Sequence, residues 1–273
     1  MVDLPPWLAS TSTWIERQAT DYASKADETD RNERELLETL EGYVDDVLGE
    51  FDPPRAGRQP ATLVFAHLYR SAQQPSDDEQ GWQVPSAVLA ALIAAEIEFR
   101  GPLRLSARQN VLLAIEYEAR GAQLREFGLP EHAALAYQRA VALYRIAEDA
   151  GATDRCGLQL ARARTVALPL GVRRLVRYLS DALCGYGYRP FLLLCWVIVQ
   201  LGVFSAIGIG IVGPSAYADT LYLSVTSFLN PVGLGDIAKL STAAKPLFAI
   251  ETWLGTVSMS VFFALLVRKW FRM

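Results

Sequence analysis

The sequence predicts an all-α protein in which a soluble helical domain precedes a membrane pore module with two spanning helices. Three observations support this prediction. Two apolar runs long enough to cross a bilayer both lie after residue 190, acidic residues are concentrated in the earlier part, and helical periodicity recurs throughout. We therefore assign residues 1–165 to a cytoplasmic helical domain, 168–187 to an amphipathic segment and 188–273 to the pore module.

The charge distribution separates the two parts. Residues 1–165 hold 26 acidic and 17 basic residues, whereas residues 166–273 hold 4 acidic and 9 basic ones. An acidic first domain argues against nucleic acid as a partner, because phosphate binding needs clustered Lys and Arg. The three cysteines lack metal-site spacing, and no nucleophile elbow or phosphate-cradling glycine loop is present. The sequence therefore favours neither an enzyme nor a resident cofactor.

Helical spacing in the first hundred residues predicts three segments. Apolar residues between Leu36 and Leu48 recur at helical spacing, which predicts a helix capped at Thr29 or Asp30. Residues 61–71 form a second, shorter candidate helix. Residues 86–99 are rich in Ala, Leu and Ile but include two glutamates, Glu96 and Glu98. This stretch is too short and too charged to cross a bilayer, so we expect a buried helix of the soluble domain.

Residues 108–150 predict a helical hairpin. Gly128 ends its first helix, and Pro130 falls in the first turn of its second helix, which we expect to extend to about Ala150. His132 follows at that helix start, where we expect it to be exposed. Small and aromatic residues lie where a tetratricopeptide repeat places its packing residues, at Gly121, Ala133, Tyr137 and Ala140. Since one such unit is visible, an ordinary helix pair remains an equal alternative.

The amphipathic segment, residues 168–187, separates charge from apolar surface. Arg173, Arg174 and Arg177 occupy one face, and the other face carries Val172, Leu175, Val176, Leu179 and Leu183. A basic amphipathic helix directly before a membrane span is expected to lie in the interface, with its arginines near lipid phosphates. A soluble linker helix is the alternative.

Two spans are predicted at about residues 191–213 and 246–268. The first has no charged side chain, and Glu251 is the only charge within the apolar run of the second. A hydrocarbon core of about 30 Å needs ~20 helical residues, so both runs are long enough. Basic residues flank the pair, while the connection holds only Lys239 and Lys245. The positive-inside rule then predicts a two-pass protein of the cell membrane with both termini in the cytoplasm.

The connection between the spans predicts a re-entrant loop. Residues 219–229 are apolar and plausibly helical but too short to cross, and residues 230–236 would break any regular helix. Non-helical backbone at membrane depth is tolerated only where protein buries it or where it lines a water-filled path. We therefore expect a short pore helix followed by an extended return.

Residues 185–273, about a third of the chain, resemble the pore module of the two-transmembrane-helix pore-loop ion channels, whose best-known members are potassium channels. The family signature Thr-Val-Gly-Tyr-Gly-Asp is occupied here by Pro231, Val232, Gly233, Leu234, Gly235 and Asp236. Gly255 lies where the family's inner helix commonly has a hinge glycine, and residues 185–190 resemble the lead-in to the first helix. The resemblance implies a homotetramer in which carbonyls of Val232, Gly233 and Leu234 line an ion path, Asp236 lies at the outer mouth, and potassium or another monovalent cation occupies the filter.

Four positions leave alternatives open. Pro231 replaces the threonine whose hydroxyl forms the innermost ion site, and Leu234 replaces the tyrosine, so a less selective cation pore competes with a potassium-selective one. Gly255 is either a gating hinge or a helix-packing residue. Glu251, a carboxyl group within the second span, has either a capping or packing role or a role in an ion site.

The function predicted is thus a tetrameric cation channel, potassium-conducting, whose cytoplasmic domain regulates opening or assists assembly. Its expected partners are membrane lipids, further copies of the chain, and a protein or small-molecule regulator on the helical domain. Two alternatives remain: a membrane-anchored helical adaptor without conduction, and a non-selective pore that acts as a membrane-depolarising effector.

Overall fold

The computed structural model describes residues 5–27, 32–51, 53, 62–73, 84–212, 217–229 and 245–271. These residues form helices joined by short connections, and none of them lies in a β-strand. The all-α prediction is therefore confirmed. The chain divides into two compact units, Met1–Arg174 and Leu175–Met273.

The first unit begins with four helices. They are α1 (Pro6–Asp27), α2 (Glu33–Glu50), α3 (Ala66–Gln73) and α4 (Ser86–Arg100). The sequence patterns above do not predict α1. Helix α2 begins after Asn32, whose side chain accepts a hydrogen bond from the backbone N–H of Arg34. The predicted caps Thr29 and Asp30 lie outside the described residues.

Three further helices follow at short intervals. They are α5 (Ala107–Glu126), α6 (Pro130–Ile146) and α7 (Ala150–Val166). Helix α6 packs against both α5 and α7. Ser106 and Gln109 form a capping box at the start of α5. The second helix of the predicted hairpin ends at Ile146 rather than about Ala150, because Glu148 turns the chain with a φ of 58°. Helix α7 then adds a third helix to the pair.

The hairpin contact expected from the spacing is present. A Cβ atom added at Gly121 would lie 3.0 Å from two atoms of the Tyr137 ring, so the ring would have to shift to admit a side chain there. Tyr137, Ala133 and Ala140 are all buried. The tyrosine fills the space beside the missing side chain.

Helix α4 is buried, as its composition predicts, and it packs against α1, α2, α3 and α5. Its residues from Val88 to Glu98 are all buried. Glu96 accepts two hydrogen bonds of 3.0 Å from the guanidinium group of Arg139 and one of 2.9 Å from Tyr117. The buried carboxylate is therefore paired, which explains how an apolar helix core tolerates it.

His132 is buried, so the expectation of an exposed histidine is wrong. Its Nδ1 atom lies 2.8 Å from Oε1 of Glu33 and its Nε2 atom 2.5 Å from the hydroxyl of Tyr22. The same Glu33 oxygen accepts the backbone N–H groups of Glu131 and His132. Burial, together with the charge of Glu33, raises the pKa of Tyr22. These contacts join α1, α2 and α6.

The remaining helices are α8 (Val172–Cys184), α9 (Pro190–Val212), α10 (Tyr217–Leu229) and α11 (Lys245–Trp270). Helices α9 and α11 are long and apolar enough to cross a membrane, with mean hydropathies of 2.4 and 1.7 over Pro190–Ile211 and Lys245–Arg268. They correspond closely to the two predicted spans.

Candidate functional site in the apolar helix unit

The second unit, Leu175–Met273, is called the apolar unit below, and one of its ends brings three helix termini together. Helices α9, α10 and α11 all pack against one another. A Cβ atom added at Gly208, near the end of α9, would lie 2.8 Å from Cγ2 of Thr220 and 3.6 Å from the ring of Phe248. The end of α9, the start of α10 and the start of α11 therefore meet.

The opposite end of the unit joins the start of α9 to the end of α11. The chain turns there with φ values of 55°, 53° and 85° at Gly185, Tyr186 and Gly187. A Cβ atom at Gly187 would lie 3.2 Å from Leu265 and 3.4 Å from the guanidinium group of Arg268. Helices α9 and α11 are therefore antiparallel. Arg189, just before α9, and Arg268, near the end of α11, both lie at this shared end.

Helix α10 stops against the middle of α11. A Cβ atom at Gly255 would lie 2.8 Å from Cδ2 of Phe228 and 3.0 Å from the backbone oxygen of Phe228. Gly255 follows Lys245 by ten residues, or about 15 Å at 1.5 Å per residue, in a helix of 26 residues. Helix α10 thus begins at one end of the unit, runs in the same direction as α11 and ends about halfway along it.

A stripe of buried residues runs along α10 and α11, which pack against each other. All of its members are buried, and those on α10 recur every four residues. The stripe consists of Thr220, Ser224 and Phe228 on α10, and Phe248, Glu251 and Gly255 on α11. This stripe is not among the sequence predictions, although the four-residue spacing on α10 is the signal that marks one face of a helix.

Glu251 lies inside this contact. Its side chain is 1% exposed, and neither carboxyl oxygen makes a hydrogen bond to a described residue. The hydroxyl group that faces it is that of Ser224, which is also fully buried and without a hydrogen bond of good geometry. In this structure Glu251 is therefore a carboxyl group packed between helices rather than a helix cap.

Helix α8 has the amphipathic character that the sequence predicts. None of its side chains is buried, and apolar residues such as Val172 and Leu175 are 77% and 69% exposed. Arg173 and Arg177 are exposed on the other face, while Arg174 is half-buried and donates to the backbone oxygen of Leu168. An uncovered apolar face beside a basic one is the arrangement expected of an interfacial helix.

The predicted filter, residues 231–236, lies outside the described residues. The predicted pore helix corresponds to α10, which begins two residues earlier than expected. Among the described side chains, no group of three His, Cys, Asp or Glu residues is placed to hold a metal ion. Of the residues predicted to form the site, the structure thus describes those of helix α10, Glu251, Gly255 and the three arginines.

An open cavity of about 230 Å³ lies among α1, α3 and α4 in the helical domain. Its lining is mixed, with polar side chains from all three helices beside small apolar ones: Glu16, Thr20, Leu68, Ser71, Ser86, Ala87 and Ala90. A space of this size would admit only a small ligand.

No family model, curated protein or solved structure matches this chain. The geometry of α9, α10 and α11 is therefore the basis on which a function can be argued.

Proposed function

We propose that this chain is the subunit of a homotetrameric cation channel that conducts potassium across the cell membrane. Helices α9 and α11 span the bilayer, α10 is a re-entrant pore helix, and residues 231–236 form the selectivity filter. One observation carries the proposal: α10 starts where α9 ends and α11 starts, yet ends against Gly255 in the middle of α11.

The length of α10 excludes a full crossing. Its 13 residues extend about 20 Å, whereas a hydrocarbon core is about 30 Å thick. If α9 and α11 cross the bilayer, the chain leaves α10 at membrane depth. Backbone at that depth must be buried in protein or line an aqueous path. A filter in residues 231–236, directly after α10, meets this condition.

The exposed surface of the two long helices supports a membrane environment. Only 22% of the apolar window of α9 and 17% of that of α11 are buried within the subunit. Lipid and three further copies of the chain would cover the remainder. Since the start of α9 lies beside Arg268 on α11, the positive-inside rule assigns that end and both termini to the cytoplasm.

The filter chemistry follows from its glycines. Gly233 and Gly235 permit the backbone conformations that turn successive carbonyl groups toward one axis. Four copies then form rings of oxygens, from Val232, Gly233 and Leu234, that replace the water around a cation. Because Pro231 has no hydroxyl, selectivity depends on these carbonyl rings without the innermost site of the potassium-channel pattern.

The decisive experiment measures ion flux through the purified full chain in liposomes. We expect potassium to pass faster than sodium and a bulky organic cation to be excluded. Gly233→Ala should abolish flux because it removes a conformation that the filter needs. Gly210→Ala is the matched control: no atom lies within 4 Å of a Cβ added at Gly210 on α9, so flux should persist.

Other outcomes would identify the alternatives. A folded chain that passes none of the three cations contradicts the channel and favours the membrane-anchored adaptor. Passage of all three cations at similar rates contradicts potassium selectivity and favours a depolarising pore. A native mass other than that of four copies contradicts the proposed homotetramer.

The helical domain is proposed to regulate opening through α8, which connects it to α9 in sequence. A regulator bound at the cavity among α1, α3 and α4 is one route for such control. Deleting residues 1–165 should change the open probability of single channels and leave their conductance unchanged. Unchanged gating would remove this regulatory role while leaving the pore proposal intact.

A further inference from the structure

The carboxyl group of Glu251 is enclosed by close contacts one helical turn away on either side. Gly208 meets Thr220 and Phe248 at one level, and Gly255 meets Phe228 at the other. Between these levels Ser224 and Glu251 are 0% and 1% exposed. The two polar groups thus occupy a closed position in the α10–α11 interface.

No fixed positive charge in the described part of this unit faces Glu251. Helix α9 contains no Asp, Glu, Lys, Arg or His, and its Cys195 is exposed. The titratable groups of α10, Tyr217, Asp219 and Tyr222, are exposed as well. On α11 the basic residues lie near the two ends, at Lys245, Arg268 and Lys269.

An ionised carboxylate is costly in this position. Burial of an unpaired charge is strongly unfavourable, and Ser224 can donate only one hydrogen to the two oxygens. The neutral acid requires much less, because its own O–H group becomes the donor and needs a single acceptor.

We propose that Glu251 and Ser224 form a proton-binding site that holds α10 against α11. A proton from water adds to one oxygen of Glu251, and the resulting O–H group donates to Oγ of Ser224. The serine hydrogen is then free to donate to a backbone oxygen of the preceding turn. Thr226 and Thr252 already make such bonds, of 2.7 and 2.8 Å, to Tyr222 and Phe248.

The consequence for conduction rests on the proposed function. Helix α10 directly precedes residues 231–236, so its position supports the filter. When Glu251 loses its proton, the carboxylate requires water or further donors, which the closed interface does not provide. The α10–α11 contact opens, the filter loses its support, and flux falls at alkaline pH.

The proton site is tested independently of conduction by infrared difference spectroscopy of the full chain in lipid. We expect a carbonyl band of a protonated carboxyl group that is present at acidic pH and absent from Glu251→Gln. Ser224→Ala should shift this band to higher frequency because the acid loses its acceptor. Thr226→Ala is the control and should leave the band in place. Absence of a Glu251-dependent band at every pH overturns the proposal.

The coupling to the pore is tested by measuring potassium flux between about pH 4 and pH 9. This range includes the pKa values known for exposed and buried glutamates. Wild-type flux should fall at least about fivefold toward alkaline pH, the lower end of typical coupling between sites. Glu251→Gln, which mimics the neutral acid, should keep high flux throughout. Wild-type pH dependence retained in Glu251→Gln overturns the coupling. A wild type without flux contradicts the channel itself, and the infrared result still decides the proton site.

Discussion

Gly255 of α11 lies directly against the ring of Phe228 of α10, so closely that a Cβ atom would be 2.8 Å from Cδ2. The same position would lie 3.0 Å from the backbone oxygen of Phe228, which cannot rotate away. This contact fixes the distance between the two helices at the point where α10 ends.

The first prediction concerns this contact. Gly255→Ala should destabilise the apolar unit by about 1–3 kcal/mol, the usual cost of forcing an extra methyl group into a packed interface. Unfolding of the full chain in detergent measures the loss. Gly202→Ala on α9 is the control, since nothing lies within 4 Å of its Cβ position. Adding Phe228→Leu to Gly255→Ala should recover part of the stability.

The alternative role of Gly255 as a gating hinge predicts a different pattern. A hinge substitution would alter open probability without lowering stability, and Phe228→Leu would not compensate for it. That combination of results would contradict the packing interpretation.

The second prediction concerns Glu33, which joins α2 to the start of α6. One of its oxygens accepts three hydrogen bonds, from the imidazole of His132 and from the N–H groups of Glu131 and His132. Glu33→Ala leaves these donors without their acceptor, and bonds to a charged group contribute about 1.5–3 kcal/mol each. Because they share one oxygen, we expect a total loss of about 3 kcal/mol.

Hydrogen exchange of α6 peptides in the full chain measures this loss. Glu35→Ala is the matched control, because Glu35 lies in the same first turn of α2 and is exposed. Equal exchange in both variants would show that the network around His132 contributes little. In that case the buried histidine would be held by packing alone.

The buried network also shows what a sequence pattern can and cannot reveal. The contact of Gly121 with Tyr137 was predictable because both residues belong to one hairpin, in which a known spacing relates small and aromatic positions. Glu33 precedes His132 by 99 residues, and no local period connects them. An isolated histidine at a helix start therefore suggested exposure, whereas a distant carboxylate makes its burial possible.

The same distinction applies in the apolar unit. Span length and hydropathy predicted α9 and α11, because they depend only on local composition. The proximity of Ser224 to Glu251 depends on how α10 lies along α11, which local composition does not specify. A four-residue period at Thr220, Ser224 and Phe228 marks the buried face but not its partner.

The third prediction uses the ion pair between α5 and α7. The Arg155 guanidinium donates to both oxygens of Glu118 over 2.6 and 2.8 Å, and with the Tyr144 hydroxyl it lowers the pKa of Glu118. A lowered folded-state pKa stabilises the fold above the unfolded value of about 4.3. This contribution disappears as the pH falls through the lower, folded value.

Glu118→Gln should therefore cost about 1 kcal/mol at neutral pH, a modest value because the Arg155 side chain is largely exposed. The difference from wild type should remain constant down to about pH 5 and vanish in stronger acid. Chemical unfolding at a series of pH values measures it. The exposed Glu126 supplies the control as Glu126→Gln, and a difference that grows on acidification would contradict the assigned sign.

The fourth prediction compares the ends of α5 and α6, which close with the same backbone pattern. Leu129 N–H bonds to the oxygen of Leu124 after a left-handed Gly128, and Asp149 N–H bonds to that of Tyr144 after a left-handed Glu148. A side chain in this conformation costs about 1–2 kcal/mol, and glycine avoids that cost. Glu148→Gly should therefore stabilise the helical domain by about 1 kcal/mol, and Gly128→Ala should destabilise it by a similar amount.

Glu148→Ala separates conformation from charge: it removes the carboxylate but keeps the Cβ atom, so it should bring no gain in unfolding experiments. If alanine stabilised as much as glycine, repulsion by the carboxylate rather than backbone strain would be the cause.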